Sequence, residues 1–406
     1  MNIVIIGGGA AGFFAAIRCA EKDPNVKVII LERSSKVLTK VKVSGGGRCN
    51  VTHACDNTGL LVTHYPRGEK ELRQTFARFT VEDTVAWFAA RGVQLHTEDD
   101  GRMFPETDRS ETIIKCFEEA AEKAGVNVWL DCEVRHIEKK ENRFILKIKD
   151  KDDLQADKIL VASGGHPKST AYEWLSELGH TIVPPVPSLF TFNVPDNDIT
   201  KLMGVAVADA RVKIAGTKLE QRGPMLITHW GLSGPAVLKS SAWGARALSE
   251  KNYDFICIVS WLPAMKQEEL FEQLQEAKQT NPSRTLFATS LFGLPKRLWQ
   301  FLLDKAGIDA DLRWADLPKK NLNALVNYLL SDEYKVSGKT TFKEEFVTCG
   351  GISLKEVDFA TMQSKIVPGL FFAGEVLNID GVTGGFNFQN AWSTAWVGAE
   401  GILTGA

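Results

Sequence analysis

Asn2-Ile3-Val4-Ile5-Ile6-Gly7-Gly8-Gly9-Ala10-Ala11-Gly12-Phe13-Phe14-Ala15-Ala16-Ile17 opens the chain with a short apolar run, a glycine turn and a helix-like segment. The turn is a G-x-G-x-x-G placed between strand and helix, the context in which that spacing binds a dinucleotide. Gly7 allows the tight turn, Gly9 lets backbone amides approach a pyrophosphate, and Gly12 lets the helix pack on the sheet. Ala10 and Ala11 begin a helix whose unpaired N–H groups and partial positive charge suit phosphates. A second strand-like run, Val26 to Leu31, ends at Glu32. Twenty-odd residues beyond the glycines, an acid there accepts the hydroxyls of an adenosine ribose.

Ser44-Gly45-Gly46-Gly47-Arg48-Cys49-Asn50 follows, led by Lys40. Three glycines in a row weaken a helix or strand by about 1 kcal/mol each relative to alanine. Their use is a backbone nest whose N–H groups converge on an anion. Arg48 and Asn50 sit on that loop and suit a phosphate, a ribityl chain or a ring edge. Two phosphate-cradling loops within fifty residues fit a ligand longer than a bare nicotinamide dinucleotide.

The 406 residues exceed what one core usually serves, so two or three domains are expected. Hydrophobic content of 44% and charged content of 24% are ordinary globular values, which argues against disorder. A net charge of −2 gives no general attraction to nucleic acid or an anionic membrane, so neither is expected as a partner. No apolar run reaches the ~20 residues of a membrane span, and the strand at residue 2 leaves no room for a secretory leader. Seven scattered cysteines without C-x-x-C give no disulfide framework, dithiol pair or metal ribbon. The expectation is a cytoplasmic protein without a structural metal, its oligomeric state open.

Further along, Leu72 to Arg91 has helical spacing, and Ile113 to Ala124 is a clearer helix closed by Gly125. Val126 to Leu130, Arg143 to Lys149 and Asp157 to Val161 read as strands, giving an open α/β sheet with an antiparallel insertion. The last runs into Ser163-Gly164-Gly165, small residues that let a ligand approach. Pro184-Pro185-Val186-Pro187 reads as a stiff crossing at a domain boundary. Short β-like runs follow to Trp261, then helical spacing from Pro263 to Ser331. His229, in Thr228-His229-Trp230-Gly231, is the candidate catalytic side chain, set against a packed histidine. Gly369 to Glu375 is a buried strand ending in an acid, and Asp380 to Gln389 is a third glycine-rich turn opening a helix at Ala391. Such a helix start would stabilise negative charge on a flavin.

Gly7 to Gly12, Ser44 to Thr52, Gly231-Leu232-Ser233-Gly234-Pro235, Thr361-Met362-Gln363-Ser364-Lys365 and Gly374-Glu375-Val376-Leu377 through Gly384-Gly385-Phe386-Asn387-Phe388-Gln389 together resemble the HI0933-like flavoproteins, which are related in architecture to fumarate-reductase-type flavoproteins. The resemblance runs the length of the chain. It implies an α/β fold: a discontinuous Rossmann-like FAD-binding domain (1–186 and 355–406), an inserted mostly β domain (187–262 and 332–354) and a helical subdomain (263–331) covering the substrate cleft. It further implies that Ala11, Glu32, Arg33 and the Val134 backbone hold the ADP half. Lys40, Gly46 and Asn50 would lie along pyrophosphate and ribityl, and Gly374, Glu375, Gly385, Asn387 and Phe388 toward ribityl and flavin. In two places the chain departs from the family: Asn378 stands where aspartate is common, and the segment after Gly165 is short.

The implied activity is a FAD-dependent oxidoreductase passing a hydride through flavin N5. NAD(P)H is the expected transient donor, since a second G-x-G-x-x-G is lacking. Reduction of an activated C=C bond in a small molecule comes first, and oxidation of a small amine or ketone by O2 second. A nucleic-acid-modifying flavoprotein and a redox-inert FAD-binding protein stand as alternatives from other classes.

Overall fold

The computed structural model describes residues 1–341 and 347–404; the parts of the expected domain ranges at 342–346 and 405–406 lie outside the described residues. Ile3 to Ile6 are buried side by side, as a central parallel strand covered on both faces requires. Asn2–Ile6 pairs in parallel with Lys27–Leu31 and with Lys158–Val161. Asn127–Trp129 extends one side and Leu370–Phe372 the other, both parallel. Gln363–Ser364 and Val357–Asp358 finish that edge antiparallel. A sheet begun at residue 2 therefore takes a central neighbour from residue 158 and the next strand from residue 370, which is the discontinuous Rossmann-like arrangement.

The closing helix, Phe386–Leu403, packs beside Ala10–Lys22, and Arg18 pairs with Glu400 at 2.7 Å. Trp392 anchors that layer, its ring 5.6 Å from Phe14 and 5.4 Å from Phe117. Val134–Lys140, Arg143–Ile148 and Leu154–Ala156 form the small antiparallel insertion.

Three local readings change. Leu72 to Arg91 is two helices, Glu69–Phe76 and Val81–Ala89, because Thr80 caps the second reciprocally with Asp83. The proline-rich crossing is itself a strand, Ile182–Pro187, antiparallel to Thr348–Ile352. Its ladder is irregular between Val183 and Val186, where Pro184 and Pro185 lack the N–H to donate. The closing helix starts at Phe386, five residues before Ala391, because Gly385 (φ +93°) turns the chain into it.

The chain divides into two compact units at 188/189 and 341/342. The second contains a seven-stranded antiparallel sheet ordered Asp332–Ser337, Asp254–Ser260, Ala206–Ile214, Glu220–Thr228, Gly231–Ser233, Thr191–Asn193, Lys339–Thr340. Helices Gln267–Thr280, Lys296–Lys305 and Lys319–Leu330 share its core, with Trp299 and Leu325 in one apolar cluster with Phe192 and Trp261. Buried Asp332 joins them, accepting from Trp261 Nε1 at 3.2 Å, from the Tyr334 hydroxyl and from Lys305. No helix among the described residues is long and apolar enough to cross a membrane.

Candidate functional site

The glycines of the first turn differ in what they require. Gly7 has φ +116°, and a Cβ there would lie 2.3 Å from the Ala162 carbonyl oxygen. A Cβ on Gly12 would lie 1.9 Å from the Gly7 carbonyl oxygen, so this glycine sets helix-to-strand packing. Gly9 has an ordinary φ of −94°, and a Cβ there would meet no atom of the described residues within 4 Å. Neither conformation nor packing among the described residues asks for glycine at that position, which leaves its backbone approachable from outside the chain. The first amide bonded within the helix is Phe13 N, to Gly9 O at 3.0 Å, so the amides before it have no partner inside the helix.

Glu32 follows the second strand and is fixed at the edge of that turn. Its Oε2 accepts from Gly8 N at 2.8 Å, and its Oε1 from Ser34 N at 2.9 Å and Ser34 Oγ at 2.8 Å. A carboxylate keeps further lone pairs for ribose hydroxyls. Beside it is a cavity of about 220 Å³ lined by Gly7, Glu32, Arg33, Val134, Ser163 and Gly164, together with His166, Tyr172 and Trp174. Of the residues expected at the ADP half, Glu32, Arg33 and Val134 line this cavity and Ala11 does not. The Tyr172 wall was not read from the sequence; its hydroxyl accepts from His166 N at 2.8 Å, and burial pushes its pKa up to about 12. Burial lowers the His166 pKa, the Arg33 and Lys40 charges push the same way, and the hydrogen bond from the Lys168 backbone amide pulls against them.

Lys40 pairs with Glu375 at 2.6 Å, and Glu375 Oε1 accepts from Thr348 N at 2.9 Å. A Cβ on Gly374 would sit 3.0 Å from Ala11 Cβ, so the Gly374–Glu375 turn abuts the first helix. A Cβ on Gly165 would fall 2.4 Å from Thr348 Oγ1 and 2.7 Å from Glu375 Oε1. Among the described residues, Thr348 Oγ1, Asn378 Oδ1 and Asn390 Oδ1 are buried without a hydrogen-bond partner.

At the triple glycine the helix Thr39–Gly47 breaks: Ser44 is extended, and Gly45, Gly46 and Gly47 take φ +59°, +68° and +85°. Cβ atoms on Gly46 and Gly47 would meet no atom of the described residues within 4 Å. Cys49 is fully buried, which pushes its thiol up to about 12 and leaves no reactive thiolate. The Arg48 guanidinium turns to Glu98 (2.7 Å) and lies 3.9 Å over the Phe104 ring, so that side chain is engaged within the chain. The Asn50 amide, oriented to satisfy its neighbours, donates to Thr52 O at 2.9 Å and Met103 O at 3.2 Å and accepts from Gly385 N at 3.0 Å.

The closing turn therefore meets the triple-glycine turn through Asn50. Asn387 grips the loop, accepting from Gly381 N at 2.8 Å and donating to Gly381 O at 2.9 Å, while Phe388 stacks on Trp392 at 5.4 Å. A Cβ on Gly385 would lie 2.4 Å from Thr52 O, so its glycine is already explained by packing. Fully buried Asp380 accepts from Arg67 Nε at 2.6 Å, and its other oxygen accepts from Arg67 Nη2 and Ser188 Oγ. Burial raises the pKa of Asp380 against the pull of Arg67 and Ser188. These partners stand 313 and 192 residues away in the chain, with no local signal to join them. His229 belongs to the second unit, exposed on the turn between Glu220–Thr228 and Gly231–Ser233 with its ring 4.1 Å from Trp230.

The donor set fits FAD: an acid for the ribose, a cavity for adenosine, a glycine open toward the pyrophosphate, and polar groups beyond it for a ribityl chain. Comparison with known proteins agrees. A family model, the HI0933-like protein Rossmann domain, matches residues 1–401. The chain is 30% identical over 412 residues to the ribosomal RNA dihydrouridine synthase of Haemophilus influenzae, covering 98% of both chains. It is 28% identical over 408 residues to the 3-dehydro-bile acid delta(4,6)-reductase of Clostridium scindens, covering 98% of this chain and 97% of that one. A solved 3-ketosteroid delta1-dehydrogenase from Sterolibacterium denitrificans shares the fold, with TM-score 0.54 and 13% identity over 100% of this chain and 99% of its own.

Proposed function

The chain belongs to the HI0933-like family of FAD-dependent oxidoreductases, and we propose that it reduces a C=C bond conjugated to a carbonyl, with NAD(P)H as the electron donor. One observation carries this reading. The two relatives named above have unrelated substrates, yet both names describe hydrogen added across a ring C=C bond. In uridine and in a 3-keto-steroid alike, that bond is conjugated to a carbonyl. Conjugation makes the far carbon electrophilic, the property a hydride donor needs. Bound FAD would accept electrons from one substrate and pass a hydride to the other; Gly9, Glu32, Lys40 and Glu375 would hold it along its length.

A small organic enone is the first substrate class. The second is a uracil ring in RNA, favoured by the ribosomal RNA relative at 30% identity and set against a net charge of −2 that supplies little phosphate affinity. The test is anaerobic reduction of the FAD-loaded protein with NADH and NADPH, followed by a steroid 4-en-3-one or a uridine-containing ribosomal RNA fragment. Reoxidation of the flavin with a product two hydrogens heavier identifies the class. Reoxidation by O2 alone would refute the proposal.

A further inference from the structure

The two halves of FAD are joined by an anionic diphosphate. Resting on FAD as the cofactor, and not on the substrate, we propose that the His166 side chain donates to that diphosphate through its Nε2–H. His166 follows Ser163-Gly164-Gly165, the small residues after the strand Lys158–Val161. It lines the adenosine cavity together with Glu32, Arg33 and Val134. Its chain neighbour Gly165 abuts the next group along: a Cβ there would fall 2.7 Å from Glu375 Oε1, and Glu375 pairs with Lys40. His166 therefore stands between the adenosine end and the Lys40–Glu375 pair, where an extended dinucleotide carries its phosphates.

The loop itself decides which ring nitrogen serves a ligand. His166 Nδ1 accepts from Lys168 N at 3.2 Å, and His166 N donates to the Tyr172 hydroxyl at 2.8 Å. In a neutral imidazole one nitrogen accepts and the other donates, so the proton is on Nε2. Nε2 has no hydrogen-bond partner among the described residues, and the residue is half-buried. A donor held in this way suits an ionised phosphate oxygen. Burial keeps the ring below its ordinary pKa, with Arg33 and Lys40 pushing the same way, so it is neutral at pH 7.

Neighbouring donors on the cavity wall are engaged within the chain. Trp174 Nε1 donates to Ala171 O at 3.1 Å, and Arg135 pairs with Glu133 at 2.7 Å. Tyr172 is buried, its hydroxyl holding His166 N. Arg33, Lys40 and Lys168 are the charged groups around the imidazole. Their long side chains attract an anion, whereas the ring, pinned at Nδ1, adds one N–H of fixed direction.

Two amide side chains separate the roles of the two nitrogens. Asparagine brings an oxygen near the Nδ1 position, where it accepts from the amide two residues on as in an Asx turn, and it puts nothing at Nε2. Glutamine is one methylene longer and carries an N–H donor out to the Nε2 position.

The test titrates the full-length, FAD-free protein with FAD, and with ADP and adenosine by displacement of FAD. His166→Asn is expected to weaken FAD and ADP by about 10- to 150-fold, while adenosine affinity and the unfolding temperature stay at wild-type values. His166→Gln should recover most of the loss. Once loaded, both variants should keep the wild-type flavin spectrum and redox potential, because the change is remote from the ring system. Wild-type FAD and ADP affinity in His166→Asn, an equal loss for adenosine, or a glutamine variant no better than asparagine would each overturn the assignment. A wild type that binds neither FAD nor ADP would instead overturn the FAD reading on which it rests.

Discussion

Replacing Gly9 with alanine separates what the chain needs for itself from what it reserves for a ligand. At φ −94° with no atom of the described residues within 4 Å of the new methyl, the apo protein should fold as before. Restricting the unfolded chain should even stabilise it by about 0.4–1 kcal/mol. The methyl instead occupies the space where a pyrophosphate approaches the amides. Losing one charge-assisted hydrogen bond there removes about 1.5–3 kcal/mol of binding, roughly a 10- to 150-fold rise in the FAD dissociation constant. Gly12→Ala is the contrast: its methyl would lie 1.9 Å from Gly7 O, so it should destabilise the apo protein by about 1–3 kcal/mol or more. The assay is thermal unfolding of both apo variants, with FAD titrated by quenching of flavin fluorescence. A Gly9→Ala protein that binds FAD like the wild type, or that unfolds as readily as Gly12→Ala, would refute the assignment of Gly9 to the ligand.

Glu32→Ala should weaken FAD retention by a similar 10- to 150-fold, and recovery of wild-type affinity on dialysis against FAD would place the acid elsewhere. Arg67→Met leaves Asp380 buried without its cation and should cost about 3–5 kcal/mol at neutral pH. Burial already holds the folded pKa of Asp380 above its ordinary value, and removing Arg67 raises it further. The loss should be smallest below the unfolded carboxylate pKa of about 3.9 and grow as pH rises through the folded value. Denaturant melts at stepped pH, with Arg67→Met/Asp380→Asn abolishing the slope, check this. Gly385→Ala should lower the unfolding temperature through its overlap with Thr52 O and its φ of +93°, while any FAD-loaded fraction keeps a wild-type redox potential. A shifted potential would mean that the Gly385 amide faces the flavin rather than Asn50.

The opening strand, the glycine turn and Glu32 were legible because each rests on local chemistry: an apolar run, missing Cβ atoms at fixed spacing, and one acid at the end of the next strand. The triple glycine was legible too, since three left-handed residues in a row leave few other choices. Family membership followed from such blocks recurring in order along the chain. Other features depended on distance in sequence. Residues 370–372 complete the sheet begun at residue 2 through register with Lys158–Val161, a pairing that local pattern does not encode. Arg48 looked like a ligand side chain but is drawn to Glu98 and Phe104, which reach it only through the fold. Gly385 looked like an anion-binding glycine and proved to be sterically required by Thr52. Sequence by itself determined which backbone turns were candidates for a ligand, because glycine spacing is a local property, whereas packing decides which of those glycines stay open, as Thr52 does at Gly385. Tertiary structure alone decided which side chains remain to serve one, because a partner hundreds of residues away can occupy a charge or a hydrogen bond, as Arg67 does for Asp380.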